Sequence, residues 1–423
     1  MSNLAIIGTG YVGLTTGAVM AHLGHQVTCA DLDPAKVEKL NQAELHIYEP
    51  GLRELVVAGL ASGRLRFVVG AAEAAEACEF AFLCVQTPQG ADGEADLTWV
   101  LAAAAELGHI VPPGTVVINK STVPVGSAAR VAAALARPDV TVASNPEFLR
   151  EGTALADCLN PDRIVVGAPD VAAAQAVAAL YDGITAPVVI TDVTSAEMIK
   201  YASNAFLAVK LSYVNEIAAL CERVGADALD VVQGMGFDQR IGKDALKPGP
   251  GWGGSCLPKD TAALAHMAAT AGAPAGVLQA AMHANNEQRR RVVAKVTAAV
   301  PNGLHGARVA VWGLTFKANT DDLRDSPSLA VIQVLQQLGA TVVAHDPQVE
   351  AAPLEGLLLA SEPLLACEQA DVLVVLTEWP QFAAIDLAEA AARMTGREIV
   401  DARNLLDRSA AVAAGFHYVG LGR

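Results

Sequence analysis

The sequence predicts an α/β protein in which two Rossmann-like parallel-sheet domains flank a central helical domain with one long helix. Three observations point there. Short apolar strands alternate with alanine-rich helical stretches at both ends of the chain, the two ends echo each other, and the stretch between them is helical. With 423 residues the chain is too long for one compact core and fits two or three domains. The expected divisions are an N-terminal sheet domain over 1–193, a central helical domain over 194–300, and a C-terminal sheet domain over 301–423.

Strands are expected at residues 4–7, 26–30, 80–85, 115–119 and 164–166. Gly8, Gly10 and Gly13 follow the first strand and open a helix, and Asp31 closes the next strand, 18 residues beyond Gly13. Gly8 permits a tight turn, Gly10 lets the backbone approach a pyrophosphate, and Gly13 allows close helix–strand packing. The helix N-terminus then turns its unpaired N–H groups toward phosphate. Asp31 suits ribose hydroxyls and meets a 2′-phosphate as a like charge, which favours NAD over NADP.

A long helix is expected over 194–224, with Thr194 and Glu197 as a capping box and Gly225 as its stop. Such a helix spans about 45 Å, long enough to cross between domains or subunits. A Gly/Pro-rich stretch at 248–254 separates it from a second helical region, and 301–306 reads as a linker. From 308 the first pattern restarts: 308–347 repeats the strand, glycine, helix and Asp-Pro of 4–34, and 370–380 echoes 78–88. The second copy lacks the full glycine fingerprint, so the dinucleotide is expected on the first.

Composition excludes several classes. The net charge is −16 and no basic block could track a phosphate backbone, which argues against nucleic acid. Hydrophobic residues make up 52 %, yet no apolar run approaches the ~18 residues of a membrane span. The apolar start lacks a basic leader and is better read as strand, glycines and helix. Seven cysteines are scattered without CxxC or metal-type spacing, as expected of a reduced, cytoplasmic chain with no metal site.

Cys256 stands apart from the other six. It lies in Gly253-Gly254-Ser255-Cys256-Leu257-Pro258-Lys259-Asp260, where the glycines allow close approach and Pro258 suits a first helical turn. A helix N-terminus and a nearby Lys259 should favour the thiolate, whereas the other cysteines read as small core residues. Lys200 and Asn204 lie four apart on one helix face. Lys200 could stabilise an oxyanion, or both could be a solvated lysine and a helix-bridging amide. Thr122, Glu147 and Glu151 follow strands, where active-site groups of such sheets gather, but could equally be caps and turns. Asp260 could simply complement its helix N-terminus.

Taken together, these segments resemble the UDP-glucose/GDP-mannose dehydrogenase family over nearly the whole chain. The resemblance runs through residues 8–13, 49–52, 87–88, 121–126, 145–152, 161–163, 197–204, 253–260, 313–327 and 401–404. It implies a twofold oxidation of a primary alcohol to a carboxylate with two NAD. Cys256 would form a thiohemiacetal and then a thioester; Lys200 and Asn204 would stabilise oxyanions; Asp260 would assist proton transfer. Glu147 and Thr122 match positions of base catalysis and an ordered water. By the same resemblance Tyr11, Val12, Lys36, Thr87, Thr122, Glu151 and Arg324 join the NAD site. Glu147, Phe148, Leu149, Glu151, Lys200, Asn204, Arg240, Trp252, Gly253, Phe316, Lys317 and Arg403 line the sugar-nucleotide site, with Arg240 reaching across a homodimer.

Gly249-Pro250-Gly251 and Pro161-Asp162-Arg163 lean toward UDP-glucose as substrate. Trp252 departs from the Phe or Tyr expected there. Related readings are GDP-mannose or UDP-N-acetylmannosamine 6-dehydrogenase chemistry. A single-step hydroxyacid dehydrogenase would need neither Cys256 nor a third domain, and an NAD-sensing module would not need the reactive set.

Overall fold

A computed structural model of the chain describes residues 1–90 and 92–423. By internal packing it divides into two compact units: Met1–Ser203 with Ala262–Ala271, and Asn204–Thr261 with Gly272–Arg423.

The first unit is built on eight strands: β1 Asn3–Ile7, β2 Gln26–Asp31, β3 Leu65–Val69, β4 Phe80–Leu83, β5 Val116–Asn119, β6 Thr141–Ser144, β7 Ile164–Gly167 and β8 Val188–Thr191. Their order is β3-β2-β1-β4-β5-β6-β7-β8. The first six follow the dinucleotide-binding order 3-2-1-4-5-6. Neighbours run parallel except β6 and β7, which meet antiparallel at Ser144 and Gly167. Both faces are covered, so the strands are apolar on both sides: Leu4 and Ile6 join one core cluster, Ala5 and Ile7 another.

The second unit repeats the plan with β9 Arg308–Trp312, β10 Thr341–His345, β11 Leu358–Leu359, β12 Val372–Val375, β13 Glu398–Asp401 and β14 His417–Gly420. The order is β11-β10-β9-β12-β13-β14, which is again 3-2-1-4-5-6 counted within the unit. Val309 and Val311 face one core cluster; Ala310 and Trp312 face the other.

The long helix is Val193–Val224, 32 residues, and the division between units falls within it after Ser203. Its expected capping box does not form. Asp192 caps it, accepting from the Ser195 N–H at 2.8 Å and the Ser195 hydroxyl at 2.6 Å. Glu197 instead caps another helix, Ser127–Leu135, taking the Gly126 N–H at 2.6 Å and the Ala128 N–H at 2.9 Å. The far end stops as expected: Gly225 has φ +74° and the Ala226 N–H reaches back to the Cys221 carbonyl at 3.0 Å. Among the described residues, no helix is long and apolar enough to cross a membrane.

Candidate active site

In the first unit, β1 passes through Gly8 into the helix Tyr11–His22. Gly8 has φ +97°, and a Cβ there would lie 2.9 Å from the Cys84 carbonyl oxygen. A Cβ on Gly13 would lie 1.9 Å from the Gly8 oxygen, so these two glycines are required by packing. Gly10 differs, because a Cβ there would meet nothing within 4 Å. It is also the helix N-cap, with no side chain to take the first-turn N–H groups. Open space in front of unpaired donors, which include the turn of Tyr11 and Val12, suits a pyrophosphate.

Asp31 closes β2. Its Oδ2 accepts from the Thr9 N–H at 3.1 Å, the Thr9 hydroxyl and Lys36 Nζ at 2.8 Å, and its Oδ1 accepts from the Asp33 N–H. Burial pushes this carboxyl up, but the Lys36 and Thr9 hydrogen bonds outweigh it and hold it at about 2. Lys36 thus tempers the like charge that Asp31 would present to a 2′-phosphate. Tyr11 turns its hydroxyl to Glu49, and the Gly152 N–H donates to both, at 2.8 and 2.7 Å. Burial and the Glu49 hydrogen bond push the Tyr11 phenol well up, so its side chain is a neutral tie between loops. The Thr87 hydroxyl donates to the Thr122 carbonyl at 2.9 Å, which joins the loops leaving β4 and β5.

The loop leaving β6 carries Glu147, Phe148, Leu149 and the half-buried Glu151. Lys200, on the long helix, donates to Glu147 Oε1 at 2.8 Å, with side chains only 3 % and 5 % exposed. Glu147 Oε2 takes the Leu149 N–H at 2.7 Å. Burial opposes the charge on Glu147, yet the Lys200 ammonium and these hydrogen bonds hold its carboxyl below the usual range. The site thus offers a buried ammonium beside a carboxylate, able to bind an oxyanion or orient a water. Arg163 stacks 3.7 Å above the Phe148 ring, and Lys200 Nζ lies 5.5 Å from the same ring centroid.

Sequence reasoning passed over the support beneath this loop. Buried Lys120 donates to Asn145 Oδ1 at 3.0 Å and to the Tyr181 hydroxyl at 3.2 Å, and Asn145 Nδ2 donates to the Val165 carbonyl. The signal for it in the sequence is a lysine directly after an apolar strand, two residues before Thr122. Glu49 was likewise quoted for its motif but given no role.

In the second unit, Cys256 stands at the N-terminus of the helix Leu257–Thr270, its carbonyl taking the first helical hydrogen bond, from Asp260, at 2.9 Å. The Ser255 hydroxyl lies 3.6 Å from the thiol sulfur. Asp260 is fully buried. Its Oδ2 accepts from Asn204 Nδ2 at 2.6 Å and its Oδ1 from Lys259 Nζ at 2.7 Å. Lys259 is therefore matched by a carboxylate, which offsets its pull on the thiol, while Asp260 fixes the direction of the Asn204 amide.

The two glycines before Cys256 admit other protein groups. A Cβ on Gly253 would lie 2.0 Å from the Asp325 carbonyl oxygen, and one on Gly254 would lie 2.7 Å from the Phe316 ring. Trp252 is buried, its indole N–H donating to the Ser212 hydroxyl at 2.9 Å and its backbone clamped by the Asn285 amide. The departure to tryptophan thus comes with a partner for the extra N–H. Arg403 donates to the Leu376 and Phe316 carbonyls, each at 2.8 Å, and pairs with Glu378. It holds together the loops leaving β9 and β12, where Lys317 also lies. Arg324 pairs with Asp322, and Arg240, with a side chain 89 % exposed, pairs with Asp238.

Residues 2–185 match the NAD binding domain of the UDP-glucose/GDP-mannose dehydrogenase family, 194–287 its central domain and 310–408 its UDP binding domain. The UDP-glucose 6-dehydrogenase of Rhizobium meliloti is 44 % identical, with 99 % of each chain covered. UDP-glucose 6-dehydrogenase TuaD of Bacillus subtilis is 42 % identical, covering 100 % of this chain and 94 % of its own. Among solved structures, a UDP-glucose dehydrogenase from the archaeon Pyrobaculum islandicum superimposes with a TM-score of 0.91 at 38 % identity, covering 100 % of this chain and 98 % of that one. A glycine cradle made for a dinucleotide and three matched domains in order carry one conclusion: the chain belongs to the UDP-glucose/GDP-mannose dehydrogenase family.

Proposed function

We propose that the protein oxidises UDP-glucose to UDP-glucuronate, with one water consumed and two NAD reduced per sugar. The observation that carries this reading is Cys256 at a helix N-terminus whose first turn also supplies Asp260, the residue that aims the Asn204 amide. A nucleophile and an amide donor built together suit an aldehyde better than an alcohol. An aldehyde must gain a heteroatom before it can be oxidised again, and a thiolate supplies one.

NAD, when bound, is the two-electron acceptor in each oxidation. The protein's own groups do the rest. In the first step the C6 hydroxyl loses its proton to a basic group, for which Glu147, acting through a water near Thr122, is the candidate. Cys256 then adds to the C6 aldehyde, forming a C–S bond, and Lys200 with Asn204 stabilises the oxyanion. The second oxidation leaves a thioester. Water attacks it, the C–S bond breaks, and the thiolate returns as the carboxylate forms, with Asp260 assisting proton transfer. Phe148, Leu149, Glu151, Trp252, Gly253, Phe316, Lys317 and Arg403 are assigned to the sugar nucleotide. Lys36, Thr87 and Arg324 are assigned to NAD with the glycine cradle.

A homodimer completes the proposal. Phe206, Tyr213, Leu220 and Val224 form an exposed apolar stripe on the long helix, at spacings of seven, seven and four. Arg240 is exposed enough to serve a partner's substrate site. Its compartment would be the cytoplasm, where seven thiols stay reduced.

The test is total NADH formed when limiting UDP-glucose is exhausted, with GDP-mannose and UDP-N-acetylmannosamine as rival substrates. Two NADH per UDP-glucose are expected. One, with aldehyde accumulating, would overturn the cysteine route, and a strong preference for a rival sugar would overturn the substrate.

A further inference from the structure

In the second unit, the long helix, the helix Gly276–Ala299 and Leu421 line an open groove of about 200 Å³, with Arg223 and Arg291 exposed at its surface. A cavity needs only ~10–15 Å³ to hold one water, so this one admits a small molecule. Its polar lining is Asn215, Glu222, Arg223, Gln288, Arg291 and Lys295. Three cations against one carboxylate leave a net charge of +2, in a chain whose overall charge is −16. Glu222 is already engaged by Lys295 Nζ at 2.8 Å and by the Gly422 N–H at 2.7 Å. Arg223 and Arg291 have no ion pair or hydrogen bond among the described residues. Gln288 is 3 % exposed, and its amide is turned to the backbone through Nε2.

The geometry points to a binding site for a small phosphate monoester. Such a group carries about −1.5 to −2 charge at neutral pH and presents several acceptor oxygens. That matches the pocket's charge and suits the planar donor forks of two guanidinium groups. The groove lies one hydrogen bond from the Gly/Pro-rich stretch 248–254, because Asn215 Oδ1 accepts from the Gly249 N–H and Gln288 Nε2 donates to the Gly249 carbonyl, each at 2.9 Å.

A second copy of the chain is the less favoured occupant. At about 100° per residue, Asn215, Ala218 and Glu222 lie roughly 130–180° around the long helix from the apolar stripe that a copy would cover, while Arg223 lies roughly 60–100° from it, which is why oligomeric state is followed in the test.

The experiment is calorimetric titration of the full chain with glycerol 3-phosphate, with and without saturating UDP-glucose, and with glycerol as the uncharged control. One site per chain is expected, unaffected by UDP-glucose and silent to glycerol. Arg223→Ala and Arg291→Ala should each weaken it at least tenfold, with turnover, circular dichroism and oligomeric state unchanged. Four results would overturn the proposal: no saturable binding, displacement by UDP-glucose, unaltered affinity in both variants, or variants that change assembly while the phosphate has no effect.

Discussion

The two sheets begin alike and diverge within a few residues. Gly8 and Gly313 both follow the first strand, with φ +97° and +98°, and each donates its N–H at 2.8 Å to the end of the second strand, at Ala30 and His345. In both, an aspartate at or after the second strand accepts from a threonine N–H and hydroxyl: Asp31 from Thr9, Asp346 from Thr315. Then the copies part. In the first, the helix starts at Tyr11, three residues after its glycine; in the second it starts at Pro327, fourteen after. Asp346 is buried and also takes the Leu314 and Gln348 N–H groups and the Trp379 indole N–H. Asp31 keeps partial exposure and a lysine beside it. The same topology therefore leaves an open cradle in one half and a filled one in the other. Strand order sets where a ligand can sit, and the loops set which ligand.

The sharpest way to break this division of labour is at the cysteine. Cys256→Ala should lower acid production at least ~10³-fold while NAD binding, carried by the first half, is unchanged. Turnover assays beside NAD titration check it, and near-normal glucuronate formation would remove the thiol from the mechanism.

Glycine substitutions come next, and the two halves should respond oppositely. Gly313→Ala places a Cβ 2.3 Å from that of Thr377 at a positive φ and should cost about 2–5 kcal/mol of stability. Gly10→Ala meets no protein atom, so denaturant unfolding should scarcely change while NAD affinity falls roughly tenfold or more.

The aspartates extend the contrast. Asp346→Ala strands several buried donors and should destabilise by about 2–4 kcal/mol. Asp31→Ala should instead narrow the preference for NAD over NADP in kcat/KM, and an unchanged ratio would count against Asp31 as the ribose ligand.

The smallest effect is on pH. Asp31 has its folded pKa lowered to about 2, so its stabilisation is complete above the ordinary carboxylate value near 4 and is lost as pH falls through 2. After solvent screening it amounts to about 1 kcal/mol. Asp31→Asn should remove that acid-side slope from unfolding curves and leave the neutral side flat.

Much of the architecture was legible in the residues. Expected strands at 4–7 and 26–30 became β1 and β2 with a residue added to each, and the long helix begins one residue before its expected start. The strands passed over include β8, whose Val188–Ile190 is largely exposed at the sheet's end, and β3, whose Arg66 interrupts the apolar run. The candidate residues were legible as types. Their partners were not, since Lys200 meets Glu147 across 53 positions and Asn204 meets Asp260 across 56.

By itself the sequence determined what depends on neighbours along the chain: strand and helix periods, the glycine turn after β1, the stop at Gly225 and the repeat of one sheet by the other. These follow from backbone sterics and from burying one face of each element, both local in origin. Only tertiary structure decided which groups a side chain would satisfy. It took Glu197 from the expected capping box to a helix N-terminus some 70 residues earlier, matched the Trp252 indole with Ser212, and set Lys259 against Asp260. A buried polar group must find a partner wherever packing brings one, and that choice is made by proximity in space.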